Sequence, residues 1–198
     1  KVLFPFTNEI NTVLDHHNSY WRLFDGYFLL LDQYFIDEGY LDRIYEDLTN
    51  FKLKGVLEEF KEALQNFIEG NNKDTIFYAC KSFESLLKSF LNNNDLEAKI
   101  LISEIINNGL LQDMPDEVIK GFGNTVFHSL LFLRNKLGGH GQGSDEIKVN
   151  KSIAELALNL SKIFTIFLLN RNIELEGKFL NTKKIENEEN EISDEIFF

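Results

Sequence analysis

Arg134, Asn135 and His140 stand together in the stretch Leu133-Arg134-Asn135-Lys136-Leu137-Gly138-Gly139-His140-Gly141-Gln142-Gly143. An imidazole with an ordinary pKa of about 6.5 takes or gives a proton near neutrality. A guanidinium holds two phosphate oxygens at once and stabilises charge developing on them. Asn135 can orient a bound phosphate or ribose but moves no proton. One histidine does not easily act as acid and base in a single concerted step. A two-fold dimer that brings a second Arg134 and His140 to the first would solve this.

The elements that must position these groups follow from periodicity. Phe122, Val126, Leu130, Leu133 and Leu137 recur at helical spacing, which predicts a helix with one buried face. At about 100° per residue, Arg134 falls inside that apolar sector, between Leu130 and Phe127, and Asn135 points away from it. An arginine there either answers a carboxylate or borders a pocket or interface. Gly138 is expected in the left-handed conformation that ends a helix, and Gly139, Gly141 and Gly143 leave room for a ligand or second chain. Upstream, Asp74 to Leu91 reads as a helix with Ile76, Cys80, Phe83, Leu87 and Phe90 in the core. Glu84 lies beside that stripe and Lys88 one turn later. The two form either a surface ion pair of about 0.3–0.5 kcal/mol or, in the sharper reading, a holder in which Glu84 fixes Arg134.

The R-N-K-x-G-G-H-G string resembles the R-x(4–6)-H signature of the HEPN superfamily, and most closely its abortive-infection C-terminal family of bacterial anti-phage proteins. Ala79 to Lys88, with its E-x-x-x-K element at Glu84 and Lys88, is similar to that family's first helix. The resemblance covers roughly Asp74 to Arg171, about half the chain. It implies an all-α, HEPN-like up-and-down helical bundle, here with an N-terminal helical extension. It also implies an endoribonuclease that leaves a 2′,3′-cyclic phosphate, with Arg134, Asn135 and His140 as catalytic residues and Glu84, Lys88, Lys136 and Gly141 in support. The implied partners are an RNA substrate and a second copy of the chain, with room for an antitoxin or regulatory partner. No cofactor or metal is expected, because no set of His, Cys and carboxylates has convincing ligand spacing. Two other readings compete: a catalytically silent HEPN domain that dimerises or binds RNA or a nucleotide, and a plain helical domain whose Arg134 pairs internally.

Composition bounds these readings. Two prolines in 198 residues argue for a mostly helical protein. The formal charge of −12 argues against a general nucleic-acid coat, although not against a small local basic site. The single cysteine, Cys80, cannot form an internal disulfide, and a cytoplasmic setting is expected. No secretory signal or membrane span is expected; Tyr20 to Ile36 is interrupted by Arg22, Asp25 and Asp32.

Three regions are expected: an N-terminal helical region at 1–72, the HEPN-like domain at 73–172, and an acidic, flexible tail at 173–198. Glu9 to about Ile36 reads as one helix with a weak point at Gly26, and His16 and His17 as surface groups. A second short helix covers Tyr40 to Leu48. A third, Leu53 to Ile68, carries Leu57, Phe60, Leu64, Phe67 and Ile68 on one face. Gly70-Asn71-Asn72 marks a boundary. Beyond it, Leu96, Ile100 and Ile105 are expected in the core, Pro115 starts a helix, and Gly121 and Gly123 mark a kink or close helix contact. His128 reads as exposed. Ile153 to Leu169 is apolar on two sides and therefore central or at a subunit contact.

Overall fold

A computed structural model describes residues 3–17, 21–24, 27–30, 38–138 and 148–180 of the chain. The chain divides into two compact units, Lys1–Arg43 and Ile44–Phe198.

In the first unit, α1 (Leu3–His16) precedes an antiparallel hairpin of β1 (Trp21–Phe24) and β2 (Tyr27–Leu30). Among the described residues, the single helix expected over Glu9 to Ile36 is therefore replaced by a helix and two strands; residues 31–36 of that span lie outside them. Aromatic residues favour strands, and Asp25-Gly26 between Phe24 and Tyr27 is a dipeptide that favours two-residue hairpin loops. The apolar excess that argued for a helix buried on two sides served a short sheet instead. Asn11 ties the hairpin to α1: its Nδ2 donates to Leu23 O at 3.0 Å and its Oδ1 accepts from Leu23 N at 2.8 Å. His16 and His17 are exposed.

The second unit is all-helical among its described residues. α2 (Glu38–Asn50) leads into it and buries Ile44 and Leu48. α3 (Lys54–Glu69) ends at Gly70, whose φ of 79° is the left-handed cap that glycine adopts without a Cβ penalty. α3 buries Val56, Phe60, Ala63 and Leu64; Leu57 and Phe67 are half-buried and Ile68 is exposed, so its core face is rotated from the expected one.

α4 (Asn72–Leu91) is the axis of the unit, with α3, α5, α7 and α8 packed around it. Its stripe of Ile76, Cys80, Phe83, Leu87 and Phe90 is buried, as the spacing predicts. α5 (Ala98–Asn107) buries Leu101, Ile102 and Ile105, while Ile100 is exposed. α6 (Asp116–Gly121) starts after Pro115 with Asp116 and Glu117 in its first turn, where carboxylates suit the helix dipole. It runs through a π-helical turn, Phe122–Val126, into α7 (His128–Leu133), and a second π-helical turn, Arg134–Gly138, follows directly.

These wider turns change which side chains face inward. A π-helical turn takes about one extra residue, so a stripe drawn at 3.6 residues per turn slips out of register. Val126 is exposed and Phe127 is buried in its place, beside Leu130 and Leu131. Phe127 joins an aromatic cluster, with ring centroids 5.7 Å from Phe83, 5.3 Å from Phe164 and 5.7 Å from Phe122. Such pairs add about 0.5–1.5 kcal/mol beyond the area they bury. The cluster fixes α7 between α4 and α8. Gly123 is the close helix contact expected of it: a Cβ there would stand 2.9 Å from Ile106 Cδ1. His128 is half-buried rather than exposed.

α8 (Lys151–Glu174) is long and apolar enough to cross a membrane by length and composition, yet half of that window is buried within the unit. Ala157, Leu158, Phe164, Leu168 and Leu169 are buried, whereas Leu156 and Ile163 are exposed. At its end the buried Arg171 donates to Leu110 O from Nε at 3.1 Å and Nη2 at 2.9 Å, and pairs with Asp113 and Glu174. Burial alone would lower this guanidinium's pKa; hydrogen bonds to Glu174 and Asp113 reverse the effect and raise it.

Candidate active site

The site begins on α4. Glu84 lies one turn after the buried Cys80, at the rim of the core, with its side chain 18% exposed. Its two oxygens are divided between two cations. Oε1 accepts from Lys88 Nζ at 2.9 Å, and Oε2 from Arg134 Nη1 at 3.2 Å. Both readings of Glu84 are therefore realised at once, because a carboxylate has two oxygens and the cations approach from different elements.

Arg134 reaches Glu84 because it opens the second π-helical turn, which packs on α4. The guanidinium is 28% exposed, between the core and solvent. Asn135 closes on it from the outer side, its Oδ1 3.3 Å from both Nε and Nη2 of Arg134. Asn135 thus lies off the apolar sector, as its wheel position predicts, and its carboxamide folds back to brace the arginine. Lys136 is exposed. Two cations, Arg134 and Lys88, thus share one carboxylate, on a chain whose formal net charge is −12.

Beneath it lies Cys80, fully buried. Desolvation raises its thiol from the usual 9.0 to about 12; Arg134 pulls the value down and Glu84 pushes it up. This thiol stays protonated and inert at neutral pH.

Gly138 is not a left-handed cap. It belongs to the π-helical turn, and its value is closeness: a Cβ there would lie 3.3 Å from Ile76 Cγ2 and 3.4 Å from both Lys73 O and Phe77 N. Arg134 against Glu84 and Gly138 against Ile76 make this turn antiparallel to α4. Farther on, Asn72 Nδ2 donates to Val149 O at 2.8 Å. That contact had no warning in the sequence beyond an asparagine in a Gly-Asn-Asn boundary. His140 and Gly141 lie outside the described residues. Among the described residues no group of three His, Cys, Asp or Glu could hold a metal ion.

The arrangement can hold an anionic oxygen with Arg134 and keep that arginine oriented from two sides. Residues 54–172, more than half of the chain, match the family model Abi_C, described as a HEPN-like domain. The chain belongs to the Abi_C family of HEPN-like domains. The match opens at Lys54, where α3 begins, and closes within the last turn of α8. No curated protein and no solved structure matches the chain. Glu84, Lys88, Arg134 and Asn135 all fall inside this Abi_C domain, on two elements packed against each other.

Proposed function

We propose that this Abi_C domain is a metal-independent endoribonuclease acting in phage defence or as a toxin. The observation that carries the reading is the braced arginine: at a partly exposed surface Glu84 holds Nη1 of the Arg134 guanidinium and Asn135 its Nε and Nη2. Preorganised charge of this kind costs no reorganisation as charge builds on a phosphorane. In the proposed reaction His140 takes the proton of a ribose 2′-OH. The 2′-oxygen bonds to phosphorus, the bond to the 5′-oxygen breaks, and that oxygen leaves with a proton from an imidazolium. Arg134 stabilises the phosphorane oxygens, and Asn135 and Lys136 position the backbone. The products are a 2′,3′-cyclic phosphate and a free 5′-OH, with no water consumed.

The second imidazole is proposed to come from a second copy of the chain. The exposed Phe132, Leu156 and Ile163 on α7 and α8 support a self-associating face. An antitoxin or other regulatory protein is the proposed means of control.

The test is cleavage of a labelled RNA in EDTA by the wild type beside His140→Ala. Wild-type cleavage that leaves cyclic phosphate ends, lost in the variant, is the expected outcome; full activity in His140→Ala would remove the assignment. One observation favours a second reading. Arg134 is already engaged by Glu84 and Asn135, so a silent domain that binds RNA or a nucleotide through its exposed cations is the alternative. Binding without turnover would select it.

A further inference from the structure

Glu84 stands between two cations and offers one oxygen to each. Oε1 accepts from Lys88 Nζ at 2.9 Å, and Oε2 from Arg134 Nη1 at 3.2 Å. Both cations have donors left over. A guanidinium carries five N–H groups and an ammonium three. Arg134 gives one N–H from Nη1 to Glu84, and one each from Nε and Nη2 to Asn135 Oδ1. One N–H on each terminal nitrogen therefore has no partner among the described residues. Lys88 gives Glu84 a single bond, and both cations are partly exposed. An anion that reaches Arg134 meets a group with one net positive charge. Without Lys88 the Glu84–Arg134 pair would be neutral and would hold an anion weakly. Without Glu84 the two cations would draw in any phosphate. The three together have a preference in charge.

We propose that Glu84 is a specificity-determining residue that filters ligands by charge, admitting the internal phosphodiesters of an RNA strand and turning away terminal phosphates and free nucleotides. The proposal rests on the reading of Arg134 as the phosphate-holding group, and it names the substrate class: the interior of a strand rather than its ends. A phosphodiester brings one negative charge and leaves the group neutral. A phosphomonoester carries about −1.5 to −2 near pH 7, so its excess faces Glu84 unpaired. An anion on the open N–H groups of Arg134 lies roughly 4–6 Å from that carboxylate, a range in which like charges still repel. Discrimination of this kind comes from a repulsive element as much as from an attractive one. Glu84 itself touches no substrate; it acts by its charge, through the arginine it holds.

Two ligands that cannot be cleaved test this on the full chain. One is 2′-O-methyl uridylyl-uridine, with a single phosphodiester; the other is 2′-O-methyluridine 3′-phosphate. At about pH 8 the second is a dianion, because a monoester's second pKa is about 6. NMR titration gives both dissociation constants, and the wild type should bind the diester more tightly. Glu84→Gln keeps the shape and removes the charge. It should shift the ratio of the two constants toward the monoester by roughly two- to fivefold, the scale of one partly exposed charge contact. Glu84→Asp keeps the charge and should keep the wild-type ratio, whereas Lys88→Gln should move the ratio the other way. A merely structural role would change both affinities together. An unchanged ratio in Glu84→Gln therefore overturns the proposal, as does a wild type that prefers the monoester or binds neither ligand below about 10 mM. Should Glu84→Gln fail to fold, an unchanged ratio in Lys88→Gln overturns it instead. A wild type that shows the preference but cleaves no RNA would sink the ribonuclease reading and leave the filter standing.

Discussion

Arg134 Nη1 stands 3.2 Å from Glu84 Oε2, and the other oxygen of that carboxylate belongs to Lys88. The shared carboxylate changes what truncation should do. Removing Arg134 does not leave Glu84 bare, because Lys88 still neutralises it. The loss from Arg134→Ala should therefore be about 1 kcal/mol rather than the 3–5 kcal/mol typical of a stranded buried charge. A thermal-unfolding cycle over Arg134→Ala, Glu84→Gln and the double variant should return a coupling of about 0.5–1 kcal/mol. Strict additivity would mean that the pair contributes nothing.

Charge alone should not replace this arginine. Arg134→Lys keeps a cation but loses the planar fork that meets Glu84 and Asn135 together. RNA cleavage by Arg134→Lys should fall by roughly 100-fold or more, with the fold intact by circular dichroism, since loss of one transition-state donor commonly costs that much. Activity within a few-fold of wild type would show that a point charge suffices and that the Asn135 brace has no catalytic consequence.

Cys80 should give the protein an alkaline liability. Its thiol stays protonated in the folded chain up to about pH 12, because burial outweighs the pull of Arg134, whereas the unfolded chain releases that proton near the usual 9.0. A group whose folded pKa is raised contributes fully below the unfolded pKa, and that contribution is lost as pH rises from 9 toward 12. The slope is at most about 1.4 kcal/mol per pH unit. Urea denaturation of wild type and Cys80→Ala at several pH values should show the gap between them narrowing above pH 9, although Cys80→Ala starts lower at neutrality for want of packing. Parallel curves would show that the thiol is not desolvated.

The α4 stripe was legible because Ile76, Cys80, Phe83, Leu87 and Phe90 keep a 3.6-residue period on one unbroken helix. The place of Arg134 within an apolar sector followed from the period of its own helix, while Glu84 as its partner was one of two open readings, and the contact itself decides it. Val126 is exposed although the stripe placed it inward, because the π-helical turn Phe122–Val126 interrupts the helix, and a single sequence shows such a turn only as glycines at odd positions. The hairpin was hidden because Trp21 to Leu30 is apolar enough to satisfy either period, and Asp25-Gly26 was the cue to weigh more heavily. Asn72 to Val149 was out of reach, since a long-range bond from a carboxamide to a backbone carbonyl leaves no pattern in composition or spacing.

The last prediction concerns the second imidazole. Leu156 and Ile163 are two helical turns apart on one side of α8, 46% and 55% exposed, and Phe132 on α7 is 60% exposed. Covering such side chains with a partner would remove apolar surface from water and favour association. If a second copy is that partner, Ile163→Glu should convert a dimer to a monomer in sedimentation at micromolar concentration, because an unpaired carboxylate in an apolar contact is strongly disfavoured. The same change should abolish RNA cleavage without touching Arg134 or His140, and its melting temperature should fall only by the share the dimer contributes through mass action. Mixing Ile163→Glu with wild type should not restore the variant's own sites. A wild type that sediments only as a monomer while cleaving RNA at full rate would mean that one chain supplies both acid and base, and the composite site would have to be abandoned.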